Sequence, residues 1–173
     1  MTAKVVLIGP MASGKTKIGK RVARLLGAQR LDSDSLFVAD HGPIADFFAA
    51  SGEPAFRRLE AEYVARAVTS DAVVSLGGGA VLDEGTQTLL AGVPVVALTV
   101  SADAVESRLG DGKRPLVSAG IQSWIDIYEK RRPTYERLAT RTYDTSRGNL
   151  DEIAQDIANW IESDYSSTQE VAS

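Results

Sequence analysis

The chain has 173 residues and a mass of 18.4 kDa, with 44% hydrophobic and 24% charged residues, which suits one domain with its own core and leaves little room for a second. The absence of cysteine excludes a disulfide framework, a thiolate zinc site and a cysteine nucleophile, and one histidine leaves little support for a His-centred metal site or a Ser-His-Asp triad. A net charge of −4 argues against a nucleic-acid backbone binder. The longest apolar runs are too short to span a membrane, and Met1 to Lys4 lead into a strand pattern without a signal-peptide core, so a cytoplasmic protein is expected.

Strand and helix patterns alternate. Val5 to Ile8 form a β-branched run that suits a strand buried on both faces. Ile18, Val22, Leu25 and Leu26 then fall on one helical face, and Gly27 occupies a C-cap position. A weak strand precedes Asp32. Pro43 to Ala50 read as a short helix stopped by Gly52, and Pro54 suits the first turn of the next helix, whose apolar stripe is Phe56, Leu59, Tyr63, Val64 and Ala67. Ala72 to Leu76 and Pro94 to Val100 read as strands, with Ser101 capping a helix through Leu109. Gly110 to Pro115 form a breaker-rich loop, Ile121 to Lys130 are helical, a short strand lies near Thr142 to Thr145, and a last helix starts near Leu150. The polar end, 166–173, reads as a disordered tail. Such alternation implies βαβ units, a parallel sheet, and ligands at the carboxyl ends of the strands.

Gly9-Pro10-Met11-Ala12-Ser13-Gly14-Lys15-Thr16 matches the phosphate-loop pattern G-x-x-x-x-G-K-[ST], between a strand and an amphipathic helix. Successive backbone N–H groups in such a loop wrap a phosphate, and the helix N-terminus adds partial positive charge. Lys15 can reach the β- and γ-phosphates, and Thr16 offers a hydroxyl to Mg²⁺.

Further along, Asp32 and Asp34 follow a strand, where one carboxylate can serve the Mg²⁺ shell and the other an acceptor hydroxyl; an Asp in this position also suits a helix N-cap. Arg57 and Glu60 share a helical face, as a carboxylate clamp with its support or as an ordinary surface pair. Gly77-Gly78-Gly79 after a buried strand imply close backbone approach. Arg114 lies in a loop that suits a lid, or a solvated basic loop. Lys130 to Arg132 read as a basic helix end. Trp124 and Trp160 read as packing residues, His41 as a helix-end residue, and Arg147 sits in a loop where it could stack on a base.

Together these residues resemble the shikimate kinase family, of the nucleoside monophosphate kinase-like P-loop group, over about residues 4 to 162. The resemblance rests on the phosphate loop, Asp32-x-Asp34, the G-E-x-x-F-R-x-x-E run from Gly52 to Glu60, the glycine triplet, and Arg114-Pro115-Leu116 with Arg131-x-Pro133-x-Tyr135. It implies a three-layer α/β/α fold with a five-stranded parallel sheet in the order 2-3-1-4-5, a single domain over 1–173, a shikimate-binding segment at about 33–61 and a lid at about 110–122. It implies transfer of the ATP γ-phosphate to the 3-hydroxyl of shikimate, in aromatic amino acid (chorismate) biosynthesis, by a monomer with one Mg²⁺. ATP would be held by Ala12, Ser13, Gly14, Lys15, Thr16 and Lys17, with Arg108, Arg114 and Arg147 on the nucleotide side. Shikimate would be held by Asp34, Arg57, Glu60, Gly77, Gly78, Gly79 and Arg131. Lys15, Asp34 and Arg114 would act in catalysis, with Asp34 as the base, and Thr16 and Asp32 would serve the metal. Two departures stand out: Ala12 replaces a usual glycine at a position that need not require positive φ, and no proline accompanies Arg147. Other readings are a related kinase for another small acceptor, such as gluconate or a nucleoside monophosphate, and a nucleotide-binding regulatory protein. The last predicts loss of Lys15, Asp34 or an arginine, all of which are present.

Overall fold

The computed structural model describes residues 1–109 and 120–165. Arg114, most of the expected lid and the tail 166–173 lie outside the described residues. The chain runs β1 (Val5–Ile8), α1 (Lys15–Leu25), β2 (Gln29–Asp32), α2 (Ser33–His41), α3 (Ile44–Ser51), α4 (Glu53–Val68), β3 (Ala72–Ser75), α5 (Glu84–Leu90), β4 (Val95–Thr99), α6 (Ala102–Leu109), α7 (Ile121–Leu138), β5 (Arg141–Asp144) and α8 (Leu150–Trp160). A 3₁₀ turn at Ala80–Leu82 and a π turn at Ile161–Tyr165 complete it.

All strand pairs are parallel, in the order β2-β3-β1-β4-β5. The three central strands are apolar almost throughout because both sheet faces are covered. Val6, Ile8, Val74, Val95 and Ala97 pack on one face with Val64 and Ala67 of α4, Leu90 of α5 and Tyr135 of α7. Val5, Leu7, Val73, Val96 and Leu98 pack on the other with Ile18 and Val22 of α1 and Ile153, Ile157 and Trp160 of α8. Leu25, at the last residue of α1, stays 42% exposed despite its spacing.

The connection after β1 thus enters a helix on one face, and the connection after β3 leads to one on the other. Neighbouring strands whose chains leave to opposite sides open a crevice at their carboxyl ends. The register pairs Leu7 with Ser75 and Asp32 with Ser75, so Gly9, Gly77 and Asp34 emerge at one edge of the sheet.

Two helices carry no clear apolar period and rest on aspartate caps. Asp32 accepts the Ser35 N–H at 3.0 Å and starts α2; Asp83 accepts the Thr86 N–H at 2.7 Å and starts α5. Helix α7 continues eight residues beyond Lys130, the end expected from the sequence, and passes through Pro133. Proline removes one helical donor and normally disfavours continuation. Here Pro133 faces solvent, while Tyr135 on the inner side is 3% exposed, so burial of the last turns outweighs the lost bond.

Candidate active site

The phosphate loop leaves β1 and enters α1 through Gly14, which is left-handed at φ 90°. Ala12 is also left-handed, at φ 65°, alone among non-glycine described residues. The position does require positive φ, contrary to the expectation from the sequence. Its carbonyl accepts from Arg108 at 2.7 Å, and the Met11 carbonyl accepts from the Trp124 indole N–H at 2.9 Å, so both peptide groups flanking Ala12 are held from outside. Alanine in this region costs roughly 1–2 kcal/mol. The Thr145 hydroxyl, fully buried, donates to the Ser13 carbonyl at 2.7 Å. The Lys15 ammonium donates to the Gly9 and Pro10 carbonyls, each at 2.8 Å, folding over the loop it serves.

Beside the loop lies a cavity of about 690 Å³. Its lining joins Ala12, Gly14, Lys15, Thr16, Lys17 and Arg108 from the phosphate side with Asp32, Asp34, Arg57, Glu60, the glycine triplet and Arg131 from the other. Ser13 is buried under the loop, and Arg147 is exposed on the turn before α8, outside the lining.

Asp34 sits in the first turn of α2. Its carboxyl is pushed up to about 6, first by burial, then by the neighbouring Asp32 and Glu60 charges, with Lys15 and Arg57 opposing. A Cβ on Gly77 would stand 2.5 Å from the Asp34 Oδ1, so only glycine lets the strand end pass this carboxylate. Likewise a Cβ on Gly79 would stand 2.5 Å from both terminal nitrogens of Arg57. The three consecutive glycines therefore answer to side chains crowding the turn, not to positive φ.

Arg57 donates to Glu60 at 2.7 Å, and Glu60 is only 5% exposed. Burial raises the Glu60 carboxyl, and the Arg57 hydrogen bond opposes that rise. The pair is thus a half-buried ion pair, with Glu60 buried and Arg57 partly exposed, not the surface pair that the spacing alone allowed. Arg131 approaches from α7, with its Nη1 3.3 Å from where a Gly78 Cβ would be. Two guanidinium groups and a carboxylate of raised pKa face a phosphate loop across one cleft. That set suits an anionic, hydroxyl-bearing acceptor beside a nucleotide.

Several lining residues were not assigned to the site from the sequence: Ile44, Phe48 and Phe56, which pack together, and Trp124, Tyr128 and Tyr135 of α7. The Tyr135 hydroxyl donates to the Gly78 carbonyl at 2.5 Å. The 124, 128, 131, 135 spacing on one helical face is a clue to them, but Pro133 obscures it.

A family model described as shikimate kinase matches residues 11–162. A shikimate kinase of Corynebacterium efficiens is 41% identical over 164 residues, covering 92% of this chain and 97% of that protein. One from Mycobacterium avium is 44% identical over 154 residues, covering 86% and 88%. Among solved structures, a shikimate kinase from Acinetobacter baumannii in complex with shikimate superposes with a TM-score of 0.85 at 31% identity, covering 94% of each chain.

Proposed function

The chain belongs to the shikimate kinase family, and on that premise we propose that it transfers the γ-phosphate of ATP to the 3-hydroxyl of shikimate, giving shikimate 3-phosphate and ADP. The observation that carries this reading is the cleft that joins Lys15 to Asp34, Arg57 and Arg131. Arg57 and Arg131 bind the shikimate carboxylate, and Glu60 holds Arg57 in place. Asp34 accepts hydrogen bonds from the ring hydroxyls and takes the proton of the attacking one. Its raised pKa keeps it ionised at neutral pH yet basic enough for that task. Gly77, Gly78 and Gly79 give the acceptor a backbone wall without side chains.

On the nucleotide side, the N–H groups of residues 12–17 and the Lys15 ammonium neutralise phosphate charge. Phosphoryl transfer depends on such positioning and charge neutralisation more than on covalent help. Arg108 stands at the nucleotide end of the cleft, and Arg114 and Arg147 complete the nucleotide contacts in this proposal. Thr16 and Asp32 supply hard oxygen donors in the same cleft, and no cluster of three or more metal-binding side chains occurs among the described residues. That donor set fits Mg²⁺, which takes few protein ligands and keeps water and phosphate oxygens. When bound with ATP it would neutralise charge on the β- and γ-phosphates. A single domain over 1–173, with an acceptor segment at 33–61, a lid at 110–122 and a monomeric, cytoplasmic state, belongs to the same proposal. No helix among the described residues is long and apolar enough to cross a membrane.

The test is ADP release from Mg²⁺-ATP with shikimate, gluconate, nucleoside monophosphates or no acceptor. Turnover with shikimate alone is expected. Turnover with another acceptor, and none with shikimate, would overturn the substrate and the Arg57–Arg131 assignment together.

A further inference from the structure

We propose that Tyr135 and Trp124 are positioning residues through which α7 sets the orientation and separation of the acceptor and phosphate loops. The inference rests on the reading that these loops hold shikimate and ATP. Trp124, Tyr128, Arg131 and Tyr135 lie at i, i+4, i+7 and i+11 on one face of α7, and all four line the cleft. The two outer residues are anchors. The Tyr135 hydroxyl donates to the Gly78 carbonyl, and the Trp124 indole N–H donates to the Met11 carbonyl at 2.9 Å. Both donors are buried, Tyr135 at 3% and Trp124 at 5% exposure.

Peptide planarity gives these bonds their consequence. A carbonyl and the next residue's N–H belong to one rigid plane and point in opposite directions. Holding the Gly78 oxygen therefore fixes the direction of the Gly79 N–H. Holding the Met11 oxygen fixes that of the Ala12 N–H in the phosphate loop. The neighbouring peptide is held as well, since Arg108 binds the Ala12 carbonyl at 2.7 Å, and Ala12 is kept at φ 65° between them. Eleven residues of helix separate the anchors by about 16 Å. Tyr128 fills the span, with its ring 5.1 Å from that of Trp124 and 6.4 Å from that of Tyr135. One stiff helix thus grips a carbonyl in each substrate loop.

The experiment measures binding of shikimate and of ADP separately, by calorimetry, in wild type, Tyr135→Phe and Trp124→Phe. Tyr135→Phe removes one oxygen atom. It is expected to weaken shikimate binding about five- to tenfold, the size of one lost buried hydrogen bond, and to leave ADP binding within about twofold. Trp124→Phe is expected to do the reverse. Equal losses for both ligands in each variant would mean general softening of the fold and would overturn the inference, as would unchanged binding of both. If Trp124→Phe is too unstable to titrate, the Tyr135→Phe pair of constants decides alone by the same criteria. Wild-type protein that ignores shikimate would sink the proposed substrate, and the inference would then be decided by the ADP constants of Trp124→Phe.

Discussion

The phosphate loop and the acceptor pocket meet at Gly78, where a Cβ would stand 3.6 Å from the Gly9 carbonyl oxygen and 3.7 Å from the Met11 amide nitrogen, yet they are built in opposite ways. The phosphate loop is eight consecutive residues, shaped by positive φ at Gly9, Ala12 and Gly14 and by the start of α1, and in the proposed function its main-chain N–H groups act with the neighbouring Lys15 and Thr16 side chains. The proposed acceptor pocket draws Asp34 from α2, Arg57 and Glu60 from α4, three glycines after β3 and Arg131 from α7, and in the proposed function its work falls to side-chain charge. The phosphate loop carries a methyl group at Ala12 but has no space for one at Gly9, where a Cβ would stand 2.5 Å from the Leu98 carbonyl oxygen; there the obstacle is backbone, whereas at Gly77 and Gly79 it is the charged ends of Asp34 and Arg57.

The largest break in this contrast is expected at Asp34. Asp34→Asn should lower turnover by roughly 10²–10⁴-fold, the usual contribution of a general base, while ADP binding persists. Steady-state kinetics with calorimetry check both halves; wild-type turnover would remove Asp34 from the chemistry.

Gly79→Ala should displace the Arg57 guanidinium and weaken shikimate binding by roughly 2–5 kcal/mol, as Arg57→Ala should. The conflicting atoms end a flexible side chain, so the variant should still fold. Because both changes remove one interaction, the double variant should bind about as weakly as either single one. Additive losses in that cycle would contradict the steric account.

Stability sharpens the comparison further. The folded-state carboxyl of Asp34 titrates near 6, above its ordinary 3.8, so its contribution to stability is fully present below about 4 and is lost as pH rises through about 6. Asp34→Asn removes that loss. It should unfold at higher urea than wild type at neutral pH, by up to about 3 kcal/mol without nucleotide or metal, and the gain should vanish near pH 4. A gain independent of pH would point to packing instead of charge.

The smallest effect is expected on the backbone side. Ala12→Gly relieves the left-handed alanine but gives up its packing near Val105 and Trp124, so a stability gain of at most about 1 kcal/mol is expected, with turnover within about threefold. Thermal unfolding and kinetics on the same samples measure it.

Legibility follows the same division. The central strands are readable because burial on both faces forces an unbroken apolar run, as in Val5 to Ile8. The edge strands Gln29–Asp32 and Arg141–Asp144 are faint because each is only partly covered. Helices α2 and α5 leave no periodic signal because they are short and lack an apolar stripe, although Asp32 and Asp83 carry the cap signal. The extent of α7 is hidden because a proline rule drawn from local geometry cannot see Tyr135 buried against the glycine turn.

By itself the sequence determined the phosphate loop, the alternating order of elements and the residue types needed to hold an anionic acceptor, because each of these is written in neighbouring residues or in a short period. Only the tertiary structure decided that Arg57 pairs with a buried Glu60, that the glycine triplet clears space for Asp34 and Arg57, and that Ala12 is held left-handed between Trp124 and Arg108. Those facts depend on which distant residues share a cleft. Burial, carbonyl partners and the shift of a carboxyl pKa are properties of that shared space, and no local pattern encodes them.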